Sequence, residues 1–292
     1  MDHEGTRVGP RRTQIVAGEM TFDALIAGPE DGEPVLLLHG FPQTAHAWRG
    51  QLHALAGAGY RAVAFDQRGY SPGARPHDDS AYRVGALADD VLAVADALGL
   101  GRFHVVGHDW GGFIAWWLGA RHADRLRSVV AVSTPHPKAF GRALRGRGQQ
   151  LRSSYFLFFR SARATSVLTA GGALGLRALF ALSWLPSRLA QPYVDRARSD
   201  PGMVDGALAW YRANTGGDLA HLAGTGAVTV PTMYVWSTRD AALGPDAARL
   251  TARYVTGPYR FEVLRGVSHW IPETASDAFN RLLLEHLDAV SR

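Results

Sequence analysis

Residues 103–114, FHVVGHDWGGFI, set an acid at the tip of a strand-turn-helix pattern: Gly107, His108, Asp109, Trp110, Gly111, Gly112. The apolar run Phe103, Val105 and Val106 predicts a strand before the turn, and 113–118 a helix behind it. Small residues at 107, 111 and 112 permit a sharp turn and close helix–strand packing, so the tip residue stands clear as a nucleophile. A carboxylate there does different chemistry from a serine hydroxyl. It attacks a saturated carbon by displacement and leaves an ester on the protein, which water must then hydrolyse. Epoxides or alkyl halides are therefore the expected substrates. A serine-hydrolase reading is excluded, because the tip is Asp109 and the residue before it is His108.

Two more groups complete a nucleophile–acid–histidine order. Asp240 lies in WSTRDAAL just past an apolar run, and His269 lies in RGVSHWIPE just past the last one. Each pattern is short, but loops that follow parallel strands converge on one sheet edge, so the three can meet. HGFPQT (39–44) follows another apolar run. It is expected to bring the Phe41 N–H opposite the elbow, where with the Trp110 N–H it forms an oxyanion hole. Pro42 suggests a fixed turn with a cis bond, and His39 is read as ordering that loop rather than moving protons. DQRGYS (66–71) is read as a buttress on the same edge.

The positioning elements follow from hydrophobic periodicity. FDALIA (22–27), PVLLLHG (34–40), YRAVAFD (60–66), RFHVVGH (102–108), RSVVAVS (127–133), TVPTMYVWS (229–237) and YRFEVLRG (259–266) read as strands. Several are apolar throughout, as in a parallel sheet covered on both faces. Between them, 82–98 and 274–290 carry helical stripes, the first ending at Gly99. The alternation breaks at 135–224, where only helical patterning is found. The expected organisation is an α/β core in two parts, 1–134 and 225–292, with a mostly parallel central sheet flanked by helices and an all-helical cap inserted at 135–224.

Composition narrows the class. The chain has 292 residues, 47% hydrophobic, enough for one sizeable core plus a smaller unit. No cysteine is present, which removes thiolate chemistry and cysteine-ligated metals. The formal charge of +5 rests almost wholly on arginine, Lys138 being the only lysine. The densest basic run, RALRGRGQQLR (142–152), lacks interleaved aromatics, so a solvated surface rather than a nucleic-acid site is expected. The segment MDHEGTRVGPRRT has no apolar run behind its charges, so a cleaved secretory signal is not expected, and the location is taken as cytoplasmic. The apolar stretch 164–185 contains three glycines and Arg177. It reads as buried helix or lid rather than a stable membrane insertion, with an exposed part able to touch lipid.

With HGFPQT, DQRGYS, GHDWGG, the acid after WSTR, and GVSHW in place, the chain resembles the α/β-hydrolase-fold epoxide hydrolases over nearly its full length. The resemblance implies two cap tyrosines that activate the epoxide oxygen. Tyr155 in YFLFF matches one, although Arg160 stands where relatives often have glutamine, and Tyr211 in Trp210-Tyr211-Arg212 matches the other. Haloalkane dehalogenases share the fold, the aspartate and the tryptophan, but many have asparagine where this chain has Phe41. Fluoroacetate dehalogenases share HGFPQT, but carry arginine where this chain has Trp110. The expected function is conversion of an apolar or aromatic epoxide to a diol through Asp109, with water activated by His269–Asp240. The alternatives are a haloalkane dehalogenase and a catalytically inactive binding protein of the same fold. Phe41, Trp110, Phe156, Phe159, Trp210 and Trp270 are the expected pocket. No cofactor or metal is expected. The partners are a small epoxide and water, with no nucleic acid, and the chain is a monomer or homodimer.

Overall fold

The computed structural model describes residues 9–214 and 224–292. Its strands are β1 (Arg11–Ala17), β2 (Met20–Ala27), β3 (Pro34–Leu38), β4 (Arg61–Phe65), β5 (Phe103–His108), β6 (Leu126–Val132), β7 (Thr232–Arg239) and β8 (Tyr259–Ser268). They form one sheet in the order β1-β2-β4-β3-β5-β6-β7-β8. The pairs β1–β2 and β2–β4 are antiparallel and every later pair is parallel. The chain alternates faces in β3: Leu36 and Leu38 enter one hydrophobic cluster, Val35 and Leu37 the other. All four are fully buried, which is why the run has no polar alternation.

The helices before the cap are α1 (Arg49–Gly57), α2 (Val84–Ala97) and α3 (Trp110–Arg121). Those between β6 and β7 are α4 (Pro137–Ala143), α5 (Arg147–Arg152), α6 (Tyr155–Phe159), α7 (Ala164–Leu182), α8 (Ser187–Ser199) and α9 (Pro201–Asn214). After them come α10 (Pro245–Leu250), α11 (Ile271–Thr274) and α12 (Ser276–Ser291). Leu52 and Leu55 of α1 and Phe279, Leu283 and Leu287 of α12 cover one face of the sheet. Val91 of α2 and Phe113 and Ile114 of α3 cover the other. Each fully buried aliphatic or aromatic side chain contributes roughly 1.5–3 kcal/mol by removal from water.

Two departures from the sequence reading have physical causes. The strand β1, RRTQIVA, is half exposed and mostly polar, so no apolar run announces it; its pairing with β2 makes it a strand. The apolar stretch read as buried helix or lid buries only Ala164, Leu168, Ala173, Leu176 and Phe180 in α7, whose Val167, Leu174 and Leu182 face outwards. This helix is long and apolar enough to cross a membrane by length and composition. It is not one straight rod, because Ala170–Ala173 leave helical geometry and Gly171, Gly172 and Ala173 take positive φ. Among the described residues, 137–214 contain helices and no strand, within the segment expected as cap; its last part, 215–223, lies outside the described residues.

Candidate active site

The elbow is built by close approach. A Cβ on Gly107 would overlap the Gly111 backbone, and one on Gly111 would overlap the Leu38 carbonyl, so the turn admits only glycine at both. Asp109 itself sits at φ 51°, ψ −119°, a strained region for a residue with a Cβ. Its backbone is over-determined: its carbonyl accepts from Gly112 N–H at 2.9 Å and from the Thr134 hydroxyl at 2.7 Å. The strain is held because the turn behind it cannot relax.

The two carboxylate oxygens of Asp109 have different neighbours. Oδ1 accepts the Phe41 N–H at 2.8 Å, and Oδ2 lies 3.5 Å from His269 Nε2. The Phe41–Pro42 peptide bond is cis. On the far side of the imidazole, His269 Nδ1 meets Asp240 Oδ2 at 2.8 Å. Asp240 Oδ1 accepts the N–H groups of Ala242 and Leu243, so its orientation is set by backbone. Burial alone would keep His269 neutral, but the charge of Asp240 and the contacts with Asp109 outweigh it and raise its pKa to about 10. Burial raises the Asp109 pKa, but His269 and the Phe41 N–H prevail and hold it below the usual carboxylate value. The resting pair is imidazolium and carboxylate.

Behind these groups lies a layer that the sequence reading did not assign. The His269 carbonyl accepts from Ser133 Oγ at 2.8 Å and faces His108 Nε2 at 2.9 Å. His108 Nδ1 faces Gln43 Oε1, Gln43 Nε2 donates to Glu273, and Tyr193 donates to the other oxygen of Glu273. Burial holds His108 near pKa 3, and burial pushes Glu273 up to about 8 against the hydrogen bonds from Tyr193 and Gln43. The sequence signal for this chain of contacts is that Gln43, His108 and Glu273 fall inside HGFPQT, GHDWGG and RGVSHWIPE. His39 Nδ1 lies 3.0 Å from the Gly40 carbonyl and its Nε2 accepts the Gln67 N–H, so it ties the loop after β3 to that after β4. Asp66 accepts the Ala45 N–H in the same region.

A cavity of about 200 Å³ reaches Asp109 and His269 and is lined by Phe41, Tyr155, Phe159, Tyr211 and Trp270, among others. A groove of about 570 Å³ near Arg12, Asp23 and Arg196 is larger and reaches none of these, so volume does not locate the chemistry. Tyr155 and Tyr211 have ring centroids 6.3 Å apart. Tyr211 is boxed by Phe41, Trp110, Phe156 and Phe159 at 4.9–5.4 Å. Burial first, then neighbouring negative charge, raises both phenols well above their ordinary pKa, so both stay protonated. Trp210, expected to line the pocket, does not. Its indole donates to the Arg68 carbonyl and its ring packs on Tyr70 and Trp110, because α9 turns Tyr211 inwards and Trp210 against the core. Phe156 and Trp110 likewise back Tyr211 without appearing among the cavity-lining residues. Arg152, Leu179, Leu182 and Ser183 line the cavity and were not expected there. Among the described residues no group of three or more His, Asp or Glu side chains is arranged to hold a metal.

Comparison with known proteins agrees with this geometry. The sequence profile of the alpha/beta hydrolase fold matches residues 33–276. The AB hydrolase superfamily protein YfhM of Bacillus subtilis is 33% identical over 92% of this chain and 94% of its own length. Epoxide hydrolase A of Mycobacterium tuberculosis is 31% identical over 90% of this chain and 93% of its own. Among solved structures, a Bacillus megaterium epoxide hydrolase in complex with an inhibitor superposes with a TM-score of 0.85 at 26% identity, covering 94% of this chain and 100% of that one. The chain belongs to the alpha/beta hydrolase fold family and is a hydrolase similar to its epoxide hydrolases.

Proposed function

We propose that the protein hydrolyses an apolar or aromatic epoxide to a vicinal diol in two steps through an ester on Asp109. In the first, Asp109 Oδ2 attacks an epoxide carbon. The C–O bond of the ring breaks, and the departing oxygen takes a proton from Tyr155 or Tyr211. An alkoxide is a poor leaving group, so this donation contributes strongly. In the second, His269 takes a proton from water, whose oxygen attacks Cγ of Asp109. The Phe41 N–H, already bonded to Oδ1, and the Trp110 N–H stabilise the charge on that oxygen. Collapse breaks the Cγ–O bond to the substrate, the leaving oxygen takes the proton of the added hydroxyl, the diol departs and the carboxylate is restored. The proton that His269 sheds once the ester forms returns to the tyrosine, and the one it takes from water restores the imidazolium.

One observation carries the reading: a single carboxylate stands between a backbone N–H on one oxygen and an Asp-paired histidine near the other, in a cavity lined by two protonated phenols. The charges also order the steps. An imidazolium cannot act as a base, and His269 is held protonated partly by Asp109. Esterification neutralises Asp109, removes that support and lowers the His269 pKa, so the base becomes available only after the ester has formed. The test is His269→Gln with excess epoxide. Intact-mass measurement is expected to find the mass of one substrate on the protein; a protein that stays unmodified while consuming epoxide would overturn the order. The Trp110 indole, the donor a halide would need, hydrogen-bonds with Tyr211, which favours an epoxide over a halide.

A further inference from the structure

The cap segment 135–194 carries nine basic residues and no Asp or Glu, more than the whole chain's formal excess of +5, so the remainder of the chain is net acidic. Seven of the nine are exposed, and among the described residues none of the nine is in an ion pair, although arginines elsewhere pair repeatedly. The same segment exposes large apolar side chains. Leu174, Ala178 and Leu182 recur every fourth residue along the regular half of α7, with Leu174 63% and Leu182 78% exposed. Leu157 on α6 is 74% exposed, and Trp184, after α7, is 49% exposed with the Arg239 guanidinium 5.0 Å above its ring. Leu182 and Arg152 also line the catalytic cavity, so their exposure marks its mouth.

We propose that this face docks on an anionic phospholipid bilayer, with Leu174, Leu182 and Trp184 entering the headgroup–acyl boundary and the surrounding arginines meeting lipid phosphates. Interfacial helices show this pairing of exposed leucine and tryptophan with arginine, and each basic residue near an anionic leaflet adds about fivefold to partitioning. A second copy of the chain fits less well. A symmetric contact through this face would set two segments, each basic and without an acid of its own, against each other. The kink at Ala170–Ala173 keeps α7 folded against the cap, so it lies on the surface rather than crossing it. Because the cavity opens on this face, an epoxide dissolved in the bilayer reaches Asp109 without crossing bulk water. That delivery rests on the reaction proposed above; the docking does not.

The experiment is sedimentation of the full chain with phosphatidylcholine vesicles, with and without about one-third phosphatidylglycerol. Binding to the anionic vesicles alone, lost in 0.5 M salt, is expected. Arg160→Glu/Arg163→Glu is expected to weaken partitioning by at least about thirtyfold, and Leu174→Ser to weaken it with charge intact. Equal binding to both vesicle types, or to neither, overturns the proposal. So does a dimer in sedimentation velocity that Leu174→Ser dissociates. For delivery, the double variant should turn over a long-chain alkyl epoxide in anionic vesicles more slowly than the parent, with an unchanged rate on a water-dissolved styrene oxide. Loss on both substrates would overturn delivery. Vesicle binding with no diol from any epoxide would refute the reaction and leave the docking standing.

Discussion

Asp109 and Tyr155 line the same cavity, yet the chain around each is built differently. Asp109 follows a strand whose six residues are all buried, and hydrogen bonds hold its carboxylate, its carbonyl and, through Asp240, the imidazole beside it. Tyr155 opens a five-residue helix with Leu157 and Phe158 exposed, and its ring is held by aromatic packing. In the proposed mechanism the bond-forming atoms thus rest on buried backbone that cannot relax, whereas Tyr155, one of the two proposed acids, rests on a partly exposed helix. A geometry accurate enough for displacement needs the first. Tolerance of different epoxides is served by the second.

If that contrast is right, perturbations of the two regions should differ in kind. Asp109→Ala should reduce diol formation by on the order of 10⁴-fold or more, since the nucleophile acts as a unit with its base; a diol assay checks it. Replacing both Tyr155 and Tyr211 by phenylalanine should cost about 10²–10⁴-fold in kcat/KM, the range of general acid catalysis, while leaving the thermal midpoint nearly unchanged. In the core, Leu36→Ala should lose about 2–5 kcal/mol in urea unfolding by opening a cavity between sheet and helix. In the cap, Leu174→Ala should stay within about 0.5 kcal/mol, because the side chain is mostly in water already. Comparable costs for those two would dissolve the distinction.

The pH dependence of stability sharpens it further. Burial lowers His39, His136 and His286 to about 4 and His108 to about 3. Their folded pKa values lie below the unfolded value near 6.5, so the unfolded chain binds protons first and stability falls as pH drops from about 6.5 towards 4. Glu273 acts in the opposite direction. Its folded pKa of about 8 exceeds the unfolded value, so its contribution is present below the unfolded pKa and is lost as pH rises through 8. Urea midpoints at pH 4, 5, 7 and 9 should therefore peak near neutrality. The acid side should flatten measurably in His108→Gln, the smallest of these effects.

Legibility in the sequence tracks the same contrast. Strands buried on both faces announce themselves as apolar runs, which is why β3 to β7 could be read; the partly exposed β2 and β8 are legible from their β-rich composition, and the polar-edged β1 is not. That Asp109, Asp240 and His269 meet could be read, because each follows its own strand and the sheet order brings the strand ends together. In the cap, residue type separates wall from support poorly. Trp210 and Phe156 are as aromatic as Phe159, and only the turn of each helix decides which ring faces the cavity. The contacts joining His108, Gln43, Glu273 and Tyr193 link residues far apart in the chain, so no local pattern carries them. The basic run 142–152, read as ordinary solvated surface, gains meaning only beside the exposed stripe of α7.

The central claim is the covalent route through Asp109. Its most direct test is a single turnover with styrene oxide in ¹⁸O-labelled water, analysing both the diol and the peptide that contains Asp109. The account predicts an unlabelled diol, because its new oxygen comes from Asp109, and ¹⁸O gained in the Asp109 carboxylate. Labelled diol with an unlabelled Asp109 would mean that water attacks the epoxide directly, and would contradict it.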